Sequence, residues 1–332
     1  MHMADALVAP AVAATMYVCS TSAAGVSIHN VRKEDDVKKV PVMGVMGAFV
    51  FATQMINFTI PGTGSSGHLC GGMLLGAILG PYAGFLTMIG VLLIQCLLFA
   101  DGGLLALGCN VWNMAFYGCF IGSLLFWKPI MKGGASKKKI IIASMLGSIL
   151  TLQLGAFSVT LETLASGVTE LPFKAFVMAM QPIHLAIGAV EGLITAAVLC
   201  FIYEVRPEML WGITDGAEAR WSKKKTIGIL AIITAFIAGV LSLFASAFPD
   251  GLEWSIARIA QTEPEGVGSI YEAVEKVQSA TSFLPDYAFV GSDSMAGTSV
   301  SGIVGAVIVA AVCITIASIV KHQRNINNAE TE

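Results

Sequence analysis

Eight apolar runs, near residues 4–29, 41–60, 82–100, 104–128, 139–161, 172–203, 226–248 and 299–320, are each about as long as a bilayer is thick. Such runs leave few solutions. In hydrocarbon every backbone N–H and C=O must be satisfied within the protein, so a spanning segment is a helix or part of a closed barrel. The runs are continuously apolar and do not alternate, which selects helices. The expected fold is therefore all-α, a polytopic integral membrane protein. A shorter stretch at 69–79 is ambiguous by length.

Charge resolves the ambiguity. Loops on the cytoplasmic side collect Lys and Arg. If the short stretch crosses, the N-terminus lies outside, and the cytoplasmic segments hold Arg32, Lys33, Lys38, Lys39, Lys128, Lys132, Lys137, Lys138, Lys139, Arg206, Arg220, Lys223, Lys224, Lys225, Lys321 and Arg324. That is all but three of the 19 basic residues, the exceptions being Lys174, Arg258 and Lys276. Without that crossing, every loop from 128 to about 225 changes face. Nine helices are expected, seven up to residue 203 and two after it, with the short one brief or tilted. The C-terminus is then cytoplasmic.

With 55% hydrophobic and 12% charged residues, the composition lies outside the range of soluble domains, and a net charge of −3 argues against a nucleic-acid partner. Cys19, Cys70, Cys96, Cys109, Cys119, Cys200 and Cys313 are scattered singly, which reads as small buried side chains and not as a zinc or redox pair. No GxxxxGK[ST] loop is present and no cytoplasmic domain of size, so the chain is not expected to hydrolyse ATP or act as an enzyme, and no cofactor site is expected.

The chain opens MHMADAL, without the basic lead-in and cleavage site of a secretory signal, so residue 1 is expected to remain and to face outward. There it carries chemical meaning. A free α-amine and an imidazole both offer neutral lone pairs near neutral pH. Between the Met1 amine and the His2 ring lies the His2 peptide nitrogen, which Ni(II) and Cu(II) can deprotonate, giving three in-plane donors. The loop PGTGSSGHLCGG falls on the same side, and its Gly62, Gly64 and Gly67 let backbone pack against an inserted N-terminus. His68 would supply a fourth nitrogen. Metal ligands are thus expected at Met1, His2 and His68, with Asn57, Thr63, Ser65 and Ser66 as candidates for orienting the imidazoles.

Three stretches, MHMADALVAPAV, NFTIPGTGSSGHLCGGMLLGAILGP and QPIHLAIGAVEGLIT, resemble the substrate-binding (S) subunits of nickel/cobalt energy-coupling-factor transporters, the NikM and CbiM family, over roughly residues 1–205. The resemblance implies a seven-helix metal-binding S-component whose N-terminus tucks in beside the His of the second outer loop. Its partners would be a transmembrane coupling subunit and an ATPase pair. Further on, FPDGLEWS resembles the PDGLE motif of the small companion subunit, NikN-like, which implies a fused companion over 226–332, joined by a cytoplasmic linker at 206–225 and carrying an outer loop at 248–298. In the family the companion is thought to help load the metal. The loop's acidic residues, Asp250, Glu253, Glu263, Glu265, Glu272, Glu275, Asp286 and Asp293, read as a solvated acidic surface able to concentrate cations.

His184 and Glu191, seven residues apart, share one helical face about 10 Å apart along the axis, too far to share an ion. They are expected to make interhelical hydrogen bonds, and Pro182 to kink their helix. Asp5 is expected to cap the first helix. Small residues such as Ala9, Ala13, Gly76 and Gly84 permit close helix packing. The expected function is metal capture for an ATP-driven importer in a bacterial or archaeal cytoplasmic membrane, with Ni(II) above Co(II). The alternatives are a Co(II) subunit of the same kind, or a stand-alone metal channel or secondary transporter.

Overall fold

The computed structural model describes all residues except 35–38, 168–170, 214–218, 261–263, 293 and 330–332, and the side chains of 321–329. Lys38, Glu263 and Asp293 lie outside the described residues, as do the side chains of Lys321 and Arg324. Among the described residues the regular structure is helical apart from a two-stranded hairpin. Six helices are long and apolar enough to cross a membrane: α1 (Pro10–Lys33), α4 (Pro81–Phe99), α5 (Leu107–Met131), α6 (Lys137–Ser166), α7 (Phe173–Val205) and the apolar part, Met295–Val320, of α11 (Met295–Ala329). Most turns of α5, from Val111 to Trp127, are π-type. Between these lie α2 (Val40–Gln54), α3 (Gly72–Leu79), α8 (Lys223–Gly239), and two short helices outside the bundle, α9 (Gly251–Ile259) and α10 (Ser269–Thr281).

Among the described residues nine helices of the bundle thus follow in the expected order, but the third is short. With eight residues α3 is about 12 Å long. The rest of that passage is irregular. Strand β1 (Phe58–Ile60) pairs antiparallel with β2 (Ser65–Gly67), Thr59 opposite Ser66, around a turn in which Gly62 and Gly64 take positive φ. Residues 68–71 then run down to α3. Irregular backbone at this depth survives because it is buried in protein. The Glu191 carboxylate, midway along α7, accepts from Cys70 N at 2.7 Å and Gly71 N at 3.1 Å, two of the donors at the start of α3. Gly71 itself has φ +80, and a Cβ there would lie 2.5 Å from Val50 Cγ1. The other end of α3 stops at Gly80, against the Trp211 ring, and Pro81 starts α4 back towards the hairpin.

The last two passages, α8 and α11, pack on the first seven through close backbone approach. Helix α11 lies along α2 and α8, and a Cβ on Gly44 or Gly47 of α2 would stand 2.6 Å from Ile314 or 2.9 Å from Cys313. Helix α6 packs along α7, which continues through Pro182 without interruption. One end of the bundle carries the basic residues Lys128, Lys132, Lys137, Arg206 and Lys223; the N-terminus, the hairpin and α9 meet at the other.

Candidate metal centre

The N-terminal residues enter the protein and are buried, Met1 at 5% exposure and Met3 at 0%. Met3 is pinned on both sides of its backbone. Its N–H donates to Asn110 Oδ1 at 2.7 Å, and its C=O accepts from Asn110 Nδ2 at 3.1 Å and from Gly103 N at 2.9 Å. Asp5 does not cap α1, which begins at Pro10 behind Ala9. Its Oδ1 accepts from Ala106 N at 2.9 Å, ordering the turn that leads into α5, because the entering tail runs past that turn before α1 starts. Asn113, next to this tail, donates to the buried Glu162 carboxylate at 2.7 Å.

With residue 3 fixed, Met1 and His2 have little freedom. The Met1 amine lies 3.1 Å from His68 Nε2. The rings of His2 and His68 stack, with centroids 5.2 Å apart and planes 23° from parallel. His68 Nδ1–H donates to Leu69 O at 2.9 Å, and since a carbonyl can only accept, Nε2 carries the lone pair facing the amine. The structure therefore brings together the three residues expected as ligands. Thr63, Ser65 and Ser66 have other partners: Thr63 closes the hairpin turn, Ser65 Oγ donates to Ser66 O, and Ser66 binds Phe248 O and Pro249 O. Asn57 lines the same cavity as His2 and His68, and its buried Oδ1 has no hydrogen-bond partner among the described residues.

Two carboxylates that the sequence did not single out sit against the nitrogens. Asp250 divides its oxygens: Oδ1 caps α9 by accepting from Leu252 N and Glu253 N, while Oδ2 takes the Met1 amine at 2.5 Å. Glu253 completes the capping box on Asp250 N. Asp101, just past α4, accepts from His2 Nδ1 at 3.0 Å and from Tyr287 O–H at 2.5 Å; His2 Nε2 lies 3.3 Å from Gln95. Burial alone would lower the pKa of the amine, but the charge and hydrogen bond of Asp250 outweigh it and raise the value above 8.0. Burial would raise that of Asp250, and the amine reverses this, holding it well below the usual carboxylate range. Burial, then the neighbouring ammonium, keeps His68 neutral, and burial does the same for His2. Proximity in sequence could not reveal either carboxylate, since 249 residues separate Met1 from Asp250.

An open cavity of about 540 Å³ leads to this point, and Asp5, Asp101, Glu253, Glu275 and Asp286 are among its lining residues. His184 stays on the inner side, with Nδ1–H donating to Met180 O in its own helix, whereas Glu191 makes the expected bonds to a neighbouring element.

Residues 2–209 match the family described as the cobalt uptake substrate-specific transmembrane region, CbiM, and residues 224–322 match the PDGLE domain. A putative fused nickel transport protein, NikMN, of Archaeoglobus fulgidus is 37% identical over 316 residues, 94% of this chain and 96% of its own. A cobalt transport protein, CbiM, of Sorangium cellulosum is 28% identical over 63% of this chain and 94% of its own. Among solved structures, a truncated transition metal transporter superposes with a TM-score of 0.54 at 30% identity, covering 61% of this chain and 99% of that one.

Proposed function

Because the chain belongs to the CbiM family of substrate-specific transmembrane regions, with a PDGLE domain fused behind it, we propose that it captures Ni(II) at the outer face of a cytoplasmic membrane. The carrying observation is the buried Met1 amine 3.1 Å from His68 Nε2, with the His2 ring stacked beside them. The ion would take four nitrogens: the Met1 amine, the His2 peptide nitrogen, His2 Nδ1, which alone closes a six-membered chelate with that peptide nitrogen, and His68 Nε2. A planar nitrogen field of this kind suits Ni(II) over metals that prefer oxygen. Binding releases one proton from the Met1 ammonium and one from the His2 peptide nitrogen to water, and moves the ring proton of the neutral His2 from Nδ1 to Nε2, which lies 3.3 Å from Gln95 Oε1. The carboxylates of Asp250 and Asp101 then balance the charge of the buried ion. Co(II) is the second reading, since the relatives are named for both metals.

In this reading residues 1–205 form the S-component, 206–225 a cytoplasmic linker and 226–332 the companion module. The N-terminus faces outward because the basic residues gather at the opposite end. ATP hydrolysis belongs to a separate ATPase pair, coupled through a further membrane subunit. The test is Ni(II) binding by the purified chain. The native form should give a yellow, diamagnetic one-to-one complex, lost in His2→Ala, in His68→Ala and in any form extended before Met1, but kept with a C-terminal tag. A yellow, diamagnetic one-to-one complex in the extended form would falsify the site.

A further inference from the structure

Two histidines face one small cavity, and a ring nitrogen of one has no partner among the described residues. His68 and His184, with Met1, Cys70, Asp250 and Gly251, line a space of about 10 Å³, at the lower limit for one water. His184 is 1% exposed, eleven residues into α7 and so about 16 Å along its axis. Its Nδ1–H donates to Met180 O at 2.8 Å, which fixes the tautomer and leaves the lone pair on Nε2. That nitrogen has no hydrogen-bond partner among the described residues. His68 is arranged the same way, Nδ1–H to Leu69 O and Nε2 free to ligate. A ring nitrogen tied to a carbonyl with the other left open is the arrangement that metal-ligating histidines adopt. A buried acceptor without a donor is costly, which points to an occupant.

The third group is Asp250, whose Oδ2 lies 3.9 Å from His68 Nε2. Gly251 brings the same turn onto His184, since a Cβ there would stand 3.1 Å from His184 Cε1. As they stand, no three His, Cys, Asp or Glu side chains among the described residues are placed to hold an ion together, and the Met1 amine occupies Asp250.

We infer that His68 Nε2, His184 Nε2 and the Asp250 carboxylate form a second, inner site that receives the divalent cation when the N-terminus lets go. The inference rests on the reading above. In the exchange, the bonds from the ion to the Met1 amine and to the His2 nitrogens break and those nitrogens regain their protons. Bonds from His184 and Asp250 form, and His68 stays on the ion throughout. Two imidazoles and a carboxylate contain no peptide nitrogen and favour a tetrahedral field. Ni(II) is therefore held less firmly inside than outside, which eases its onward release.

A chain that starts at Met3 lacks the three outer nitrogens of Met1 and His2 and keeps all three inner donors, and Co(II) is the probe. It should bind one Co(II) with the intense visible absorption of a tetrahedral complex. His184→Ala and His184→Phe in that chain should each weaken binding by about tenfold or more and abolish the band. Absence of Co(II) binding, as for a cavity that holds only water, or a spectrum indifferent to His184, would overturn the inner site. Should the shorter chain fail to fold, full-length His2→Ala carries the same Co(II) readout and the same two outcomes. Failure of the native chain to form a planar Ni(II) complex is a different result, and it overturns the outer site instead.

Discussion

The Asp250 carboxylate serves two structures at once, the first turn of α9 through Oδ1 and the amine of the chain through Oδ2. Asn at this position keeps an oxygen for the cap and loses the charge. An amine held above 8.0 is protonated at neutral pH, and the ion must displace that proton as well as the one on the His2 peptide nitrogen, so Ni(II) affinity should climb about a hundredfold per pH unit below the raised pKa and about tenfold per unit above it. In Asp250→Asn burial is no longer outweighed, the amine pKa drops, and the break in slope should move to lower pH. Chelator-competition titrations from about pH 6 to pH 9 measure the shift, and superimposable profiles would contradict the assigned role of Asp250. Met1, His2 and His68 were legible because donor chemistry and loop parity meet in short motifs. Asp250 and Asp101 were not: the PDGLE motif marks Asp250 without pointing to the amine, nothing near Asp101 marks it, and contact across the bundle decides.

At the scale of elements, α3 shows what hydropathy can and cannot convey. Apolar length and the basic residues of the loops were sufficient to require a crossing at 69–79. Neither could show that its outer half is a hairpin and a strand-like descent, because the stability of that backbone comes from Glu191, 120 residues or more away in the chain. Glu191→Ala leaves two buried N–H groups without acceptors, at about 1–3 kcal/mol each. A clear drop in melting temperature should accompany loss of Ni(II) binding, since the same backbone carries His68. Glu191→Gln retains one carbonyl acceptor and should fall between the two. A melting temperature unchanged in Glu191→Ala would show that the start of α3 finds its acceptors elsewhere. Gly71→Ala should be at least as damaging, through its positive φ and the Val50 side chain.

For the whole molecule, the PDGLE domain packs on the CbiM-matching region at two places, with α11 seated on Gly44 and Gly47 of α2 and the Pro249–Asp250 turn hydrogen-bonded to Ser66 beside the site. A chain ending at residue 209 retains the four nitrogens and loses the carboxylate. Its pH profile should coincide with that of Asp250→Asn in the full chain; a profile that differs from it would mean that the PDGLE domain acts by another route. The α2–α11 groove, uncovered in the same truncation, should make the shorter chain less stable in detergent. Because the carboxylate travels on the polypeptide it serves, every site owns one copy of it at a local concentration of order millimolar, whatever the expression level. Whether proton or ion prevails at the amine is thus a property of each single molecule, insensitive to the supply of any second gene product.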